Sequence, residues 1–107
     1  MSVTRTFTVT VANPGAGNRY YIDGVLQETV NLAETGTYKF DQSDSSNSGH
    51  PFKFSTTNNG THGGGEEYTT GVTYNGTPGQ AGAYTQIVVA ASAPQLYYYC
   101  QYHSGMG

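Results

Sequence analysis

Hydrophobic and polar positions alternate through the opening segment Val3-Thr4-Arg5-Thr6-Phe7-Thr8-Val9-Thr10-Val11, with Val3, Phe7, Val9 and Val11 on one face. A period of two predicts a half-buried β-strand. Asn13-Pro14-Gly15 interrupts it. Tyr20-Tyr21-Ile22 and Val25-Leu26 then flank Asp23-Gly24, a pair whose residues both accept positive φ and so predict a tight hairpin. The chain turns again over Leu32 to Gly36, and Thr37-Tyr38-Lys39-Phe40-Asp41 resumes the alternation. Gln42 to Gly49 is a polar loop. Pro51-Phe52-Lys53-Phe54-Ser55 is a short strand opening at proline, a position where a strand tolerates that residue. A glycine-rich loop from Asn58 to Gly65 follows, then a strand around Val72-Thr73-Tyr74 and a loop from Gly76 to Gly82. Tyr84 to Ala90 and Leu96 to Cys100 are the last two strands, separated by a turn at Pro94. No segment carries a helical period over a useful length. About eight short strands at regular spacing predict an all-β sandwich of two sheets.

Composition adjusts this picture. The 107 residues fit one domain spanning 1–107, and the abrupt end after Gly107 suggests a piece of a larger protein. Leu and Ile are scarce, but ten Tyr and four Phe replace them, so Val, Phe and Tyr must carry the core. Only 10 % of residues are charged and the net charge is −3, with four Lys and Arg in all. Such a surface cannot track phosphates, which argues against nucleic-acid binding. No apolar run approaches the roughly 20 residues of a membrane-spanning helix. The N-terminus carries neither the basic nor the apolar region of a secretory signal. A single cysteine excludes an internal disulfide.

The chemistry gathers at the end of the chain. Cys100, His103 and Met106 follow one another at intervals of three, and His50 stands where the polar loop enters a strand. Two imidazoles, one thiolate and one thioether form a mixed nitrogen and sulfur set. Thiolate and thioether suit Cu(I), imidazole suits Cu(II), and two His, one Cys and a weak axial Met are the ligands of blue copper. Zinc would replace the thioether by a harder ligand or water. Outside this set, His62 reads as a solvent-exposed loop residue. Tyr97, Tyr98, Tyr99 and Tyr102 read first as packing residues and second as an electron path. Asn59-Gly60-Thr61 and Asn75-Gly76-Thr77 match the glycosylation triplet, which arises readily by chance in a chain rich in Asn, Gly and Thr. Glu66 and Glu67, adjacent in sequence, would point to opposite faces of a strand and do not form a catalytic pair.

Tyr99-Cys100-Gln101-Tyr102-His103-Ser104-Gly105-Met106 resembles the C-terminal copper loop of the cupredoxins, in its short, amicyanin-type Cys-x2-His-x2-Met form. The segment from Asp41 to Phe52, ending at His50-Pro51-Phe52, is similar to the one that supplies the first histidine of that family. The resemblance implies a Greek-key sandwich, with His50, Cys100 and His103 as equatorial ligands and Met106 as the axial one. The chain departs from the family at Pro51. Many cupredoxins have Asn there, and its backbone N–H bonds the cysteine sulfur, whereas proline has no N–H. Met106 is also the penultimate residue, where chain ends tend to fray.

The expected function is one-electron transfer by a mononuclear type 1 copper ion cycling between Cu(I) and Cu(II). No enzyme activity is expected, because protein ligands fill the site and no free nucleophile remains. The other reading is a structural β-sandwich module of a larger virion or cell-surface protein, with copper as a stabilising clasp. Copper storage would call for a more open, Met- or Cys-rich site. The partners implied are a redox protein or neighbouring domains of a parent chain. The domain itself is expected to be a monomer; the residues leave its compartment open, and only the resemblance points to an extracytoplasmic or virion-associated setting.

Overall fold

Nine strands form in a computed structural model that describes residues 3–107. They are β1 (Arg5–Ala12), β2 (Arg19–Ile22), β3 (Val25–Leu26), β4 (Thr37–Asp41), β5 (Phe52–Ser55), β6 (Glu67–Tyr68), β7 (Val72–Asn75), β8 (Tyr84–Val88) and β9 (Tyr97–Cys100). One sheet has six strands in the order β3-β2-β1-β4-β8-β7, and the other has three in the order β6-β5-β9. Neighbours are antiparallel except β1 and β4, which run parallel. The only helical elements among the described residues are two short 3-10 turns, Ser45–Asn47 and Gly60–Gly63. The all-β expectation therefore holds, with one strand more than about eight. The extra strand, β6, is two residues long, too short for an alternation to announce it.

Local chemistry explains the elements. Asp23 and Gly24 take φ values of 51° and 82°, which is the primed turn that suits the twist of the hairpin between β2 and β3. In β1, Phe7 and Val9 are buried and Val11 partly so, while Val3, ahead of the strand, is exposed. The two sheets meet over an aromatic core. Phe40 of β4 stacks on Phe7 of β1 and on Phe52 of β5, with ring centroids 4.9 and 4.8 Å apart. Phe52 in turn stacks on Tyr98 of β9 at 5.0 Å and meets the edge of Tyr20 of β2 at 5.1 Å. Such offset and edge contacts add about 0.5–1.5 kcal/mol each beyond the area they bury. Aromatic rings thus supply the core that the scarcity of Leu and Ile would otherwise leave thin.

The polar segment from Gln42 to His50 is fastened to the large sheet rather than free. Asn47 is fully buried, and its side-chain N–H groups donate to the carbonyls of Val9 at 2.7 Å and Asp44 at 3.2 Å. Its Oδ1 accepts from Gln42 Nε2 at 3.1 Å. Asp44 caps the first 3-10 turn by accepting from the Ser46 backbone N–H at 3.1 Å and from the Ser46 hydroxyl. Ser46 Oγ accepts from the Val11 N–H at 2.9 Å, tying the same turn to β1.

Two tests follow from this segment. Asn47→Ala leaves the Val9 carbonyl without its side-chain donor and one of the two Gln42 Nε2 hydrogens unbonded, and each such buried loss costs about 1–3 kcal/mol. Urea denaturation should therefore show a destabilisation of at least that order, with strand content unchanged by circular dichroism. A variant as stable as the parent would mean that this buried asparagine does not hold the loop. The Ser46 hydrogen bonds also lower the Asp44 pKa. Its contribution is then complete above the ordinary carboxylate value of about 4 and is lost as pH falls through the lower folded-state value. The stability gap between the parent and Asp44→Ala should narrow as the pH is taken down through that range. A gap that stays constant would contradict the capping role.

Candidate metal centre

The pairing of β5 with β9 sets the site. Phe52 lies opposite Cys100 in this antiparallel ladder, and the Gln101 N–H extends it by one bond, to the Pro51 carbonyl at 3.2 Å. Side chains alternate along a strand, so Phe52 and Cys100 share the inward face. The Cys100 sulfur is consequently in the core, with no exposed surface. The same register carries His50, two residues before Phe52, to the mouth of the last loop, into which His103 projects.

His50, Cys100 and His103 come together with their ligating atoms within 4.8 Å of one another. The sulfur lies 3.7 Å from His50 Nδ1 and 3.5 Å from His103 Nδ1. Metal–sulfur and metal–nitrogen bonds of about 2.3 and 2.0–2.1 Å, spread at tetrahedral to trigonal angles, would place such donors about 3.5–3.8 Å apart. The observed spacing fits. Both rings present Nδ1 to the sulfur, and their centroids are 4.6 Å apart. These three residues, predicted from the sequence, can hold a metal ion without a change of fold.

The two histidines differ. His50 is 8 % exposed, and its backbone is held on both sides: its N–H donates to Asn47 O at 2.8 Å. Its carbonyl accepts from the Tyr20 hydroxyl and from Gln42 Nε2, both at 2.7 Å. Burial, and secondarily the charge of His103, lower the His50 pKa. That favours the neutral imidazole, the form that binds metal. His103 is exposed. Tyr20, fully buried beside Cys100, has a phenol raised far above its usual pKa, first by burial and then by the cysteine. It therefore remains a hydrogen-bond donor.

Pro51 offers no N–H, and the next amide, of Phe52, donates instead to Gln42 Oε1 at 3.1 Å. Met106 is packed into the interior. It is 1 % exposed in the core cluster that contains Cys100, and its carbonyl accepts from the Tyr20 N–H at 2.9 Å. Gln27 Nε2 donates to the carbonyls of Gly105 and Gly107 at 2.9 and 3.0 Å, fixing the residues on either side.

Of the remaining residues singled out in the sequence, Tyr99 is buried and Tyr97 and Tyr98 partly buried, as packing residues should be. Tyr102 is not: it is 63 % exposed next to His103. Glu67 makes an ion pair with Lys53 at 3.2 Å and accepts a hydrogen bond from Tyr74, a structural arrangement away from the cluster. His62 is exposed as expected, yet its Nε2 lies 2.8 Å from the Cys100 carbonyl oxygen. Asn59, noticed only as part of a glycosylation triplet, donates from Nδ2 to Ser104 Oγ and accepts at Oδ1 from the Gly105 N–H, both at 2.8 Å. Neither contact has a periodic or spacing signal by which a sequence reading could find it.

A cavity of about 430 Å³ opens between the sheets, floored by Phe40, Phe54 and Tyr98 and walled by Leu32, Val89 and Leu96; it contains none of the cluster residues. Among the described residues no helix is long and apolar enough to cross a membrane. No protein-family model, no curated protein and no solved structure matches this chain, so the meaning of the site rests on its own chemistry.

Proposed function

We propose that the chain is a mononuclear type 1 copper protein that carries single electrons, with His50, Cys100 and His103 as equatorial ligands and Met106 as the axial one. The observation that carries this reading is the convergence of one buried sulfur and two Nδ1 atoms at 3.5 and 3.7 Å. A ligand set of this softness favours copper, and Met106, buried at the end of the loop, would supply the thioether that zinc would not choose. Copper bound there would pass one electron by cycling between Cu(I) and Cu(II). The chain's own contribution is to keep His50 and Cys100 out of water while the exposed His103 leaves one edge open to a redox partner or a neighbouring domain. Tyr102, exposed beside it, enlarges that edge.

A second reading, a stabilising clasp in a larger assembly, draws on one observation. His50 and the Cys100 loop belong to segments fifty residues apart, so an ion between them closes a long loop. Electron self-exchange separates the two readings, because a clasp has no need to exchange quickly.

Cu(II) added to the metal-free protein should bind one to one and give an intense visible band from thiolate-to-copper charge transfer, with the matching EPR signal. Cys100→Ser should abolish the band while circular dichroism still reports the β fold. A band that survives the substitution contradicts the assignment. Copper should also raise the melting temperature: a ligand specific for the folded state, present at 1,000 times its dissociation constant, adds about 4 kcal/mol. An unchanged melting curve at saturating copper would show that these residues do not form the site.

A further inference from the structure

We propose that the 58–65 loop is a built-in brace for the metal-binding loop, and that Asn59 and His62 are positioning residues which hold residues 100–106 ready for the ion. The inference rests on the reading of His50, Cys100 and His103 as a metal site.

The brace grips the loop on both sides of its exposed ligand. Ahead of His103, the His62 ring reaches the Cys100 carbonyl at 2.8 Å. A carbonyl oxygen only accepts, so His62 Nε2 carries the hydrogen, in the neutral ring and the charged ring alike. That nitrogen is engaged and does not serve as a ligand. Beyond His103, the Asn59 amide holds Ser104 with its nitrogen and Gly105 with its oxygen, both at 2.8 Å. His50 is fixed by burial and by the hydrogen bonds of its backbone, and Cys100 by burial and by strand pairing. His103 is exposed and depends on the loop that carries it.

The brace is itself tied down by its backbone. Asn59 and Gly60 have φ values of 65° and 53°, a left-handed pair that asparagine and glycine adopt at low cost. Gly60 lies flat on the Tyr99 ring, where a Cβ would come within 2.4 Å of the ring carbons. Backbone bonds from Gly60 N to Thr57 O at 2.9 Å and from Gly65 N to Gly60 O at 3.0 Å close the loop on itself. The glycines therefore bring the loop against the residue before Cys100, and the two polar side chains engage the segment that follows. Ligand geometry has to be held to about 0.5 Å for a site to perform, and supports one step removed from the metal typically change its affinity 10–100-fold.

The test combines deletions with conservative replacements. Asn59→Gly removes the side chain without straining the left-handed backbone, and Asn59→Asp keeps an acceptor for the Gly105 N–H. His62→Ala removes the donor to Cys100, and His62→Gln retains an N–H at similar reach. Cu(II) and Co(II) affinities are measured by competition titration, with copper EPR and the Gly105 amide exchange rate of the metal-free protein. Asn59→Gly and His62→Ala should bind both ions 10–100-fold more weakly with an altered copper hyperfine splitting. The conservative replacements N59D and H62Q should restore most of the loss. Gly105 exchange in the metal-free protein should quicken in N59G and slow again in N59D. If the parent binds neither ion, the metal-site reading itself fails. If the parent binds and N59G and H62A match it in affinity and spectrum, the brace alone is refuted.

Discussion

Phe52 opposite Cys100 is the contact on which the site depends. The antiparallel register of β5 and β9 turns both side chains inward, places the sulfur in the core and brings His50 to the loop that carries His103. A shift of one residue would turn Cys100 outward and separate it from His50, because a strand changes face at every residue. The stacking of Phe52 between Phe40 and Tyr98 opposes such a slip, since the large ring cannot leave that space without opening the core. Core packing and the geometry of the candidate site are thus one constraint. The site inherits its precision from the sandwich.

Electrostatics follow from the same placement. A thiolate buried without compensation is costly, as is a buried imidazolium. Burial favours the neutral form of His50, and Tyr20 remains a protonated donor against its carbonyl, so a cation at the cluster would meet this imidazole in its binding form. Gln42, itself buried, links the His50 carbonyl, Asn47 and the Phe52 amide and joins His50 to the strand that follows it. Around the Cys100 loop the fold supplies a second set of supports from Tyr20, Gln27, Asn59 and His62. Both ends of this terminal loop are therefore anchored by residues remote in sequence, on either side of the exposed His103.

Much of this architecture is legible in the chain. The strand from Thr37 to Asp41 and the Asp23-Gly24 hairpin stand where alternation and turn chemistry put them, because both signals are local. The cluster of His50, Cys100 and His103 is legible through the mixed nitrogen and sulfur chemistry of these residues together with the resemblance of the terminal loop to a copper loop; the Cys-x2-His spacing alone is a weak signal. β6 escapes notice because two residues carry no period. The roles of Asn59 and His62 escape because they are single hydrogen bonds from a glycine-rich loop to residues about forty positions away, and nothing in a local pattern encodes them. Tyr102 shows the converse failure. Its place among other tyrosines suggests packing, but the chain has left β9 before reaching it, and its side chain faces solvent.

The central claim is that one copper ion is held jointly by His50, Cys100 and His103. X-ray absorption at the copper edge of the protein loaded with one equivalent of copper tests it most directly. The account predicts one short copper–sulfur distance and two copper–nitrogen distances with the scattering pattern of imidazole rings. A spectrum of oxygen and nitrogen neighbours alone, with no short sulfur contact, would contradict it.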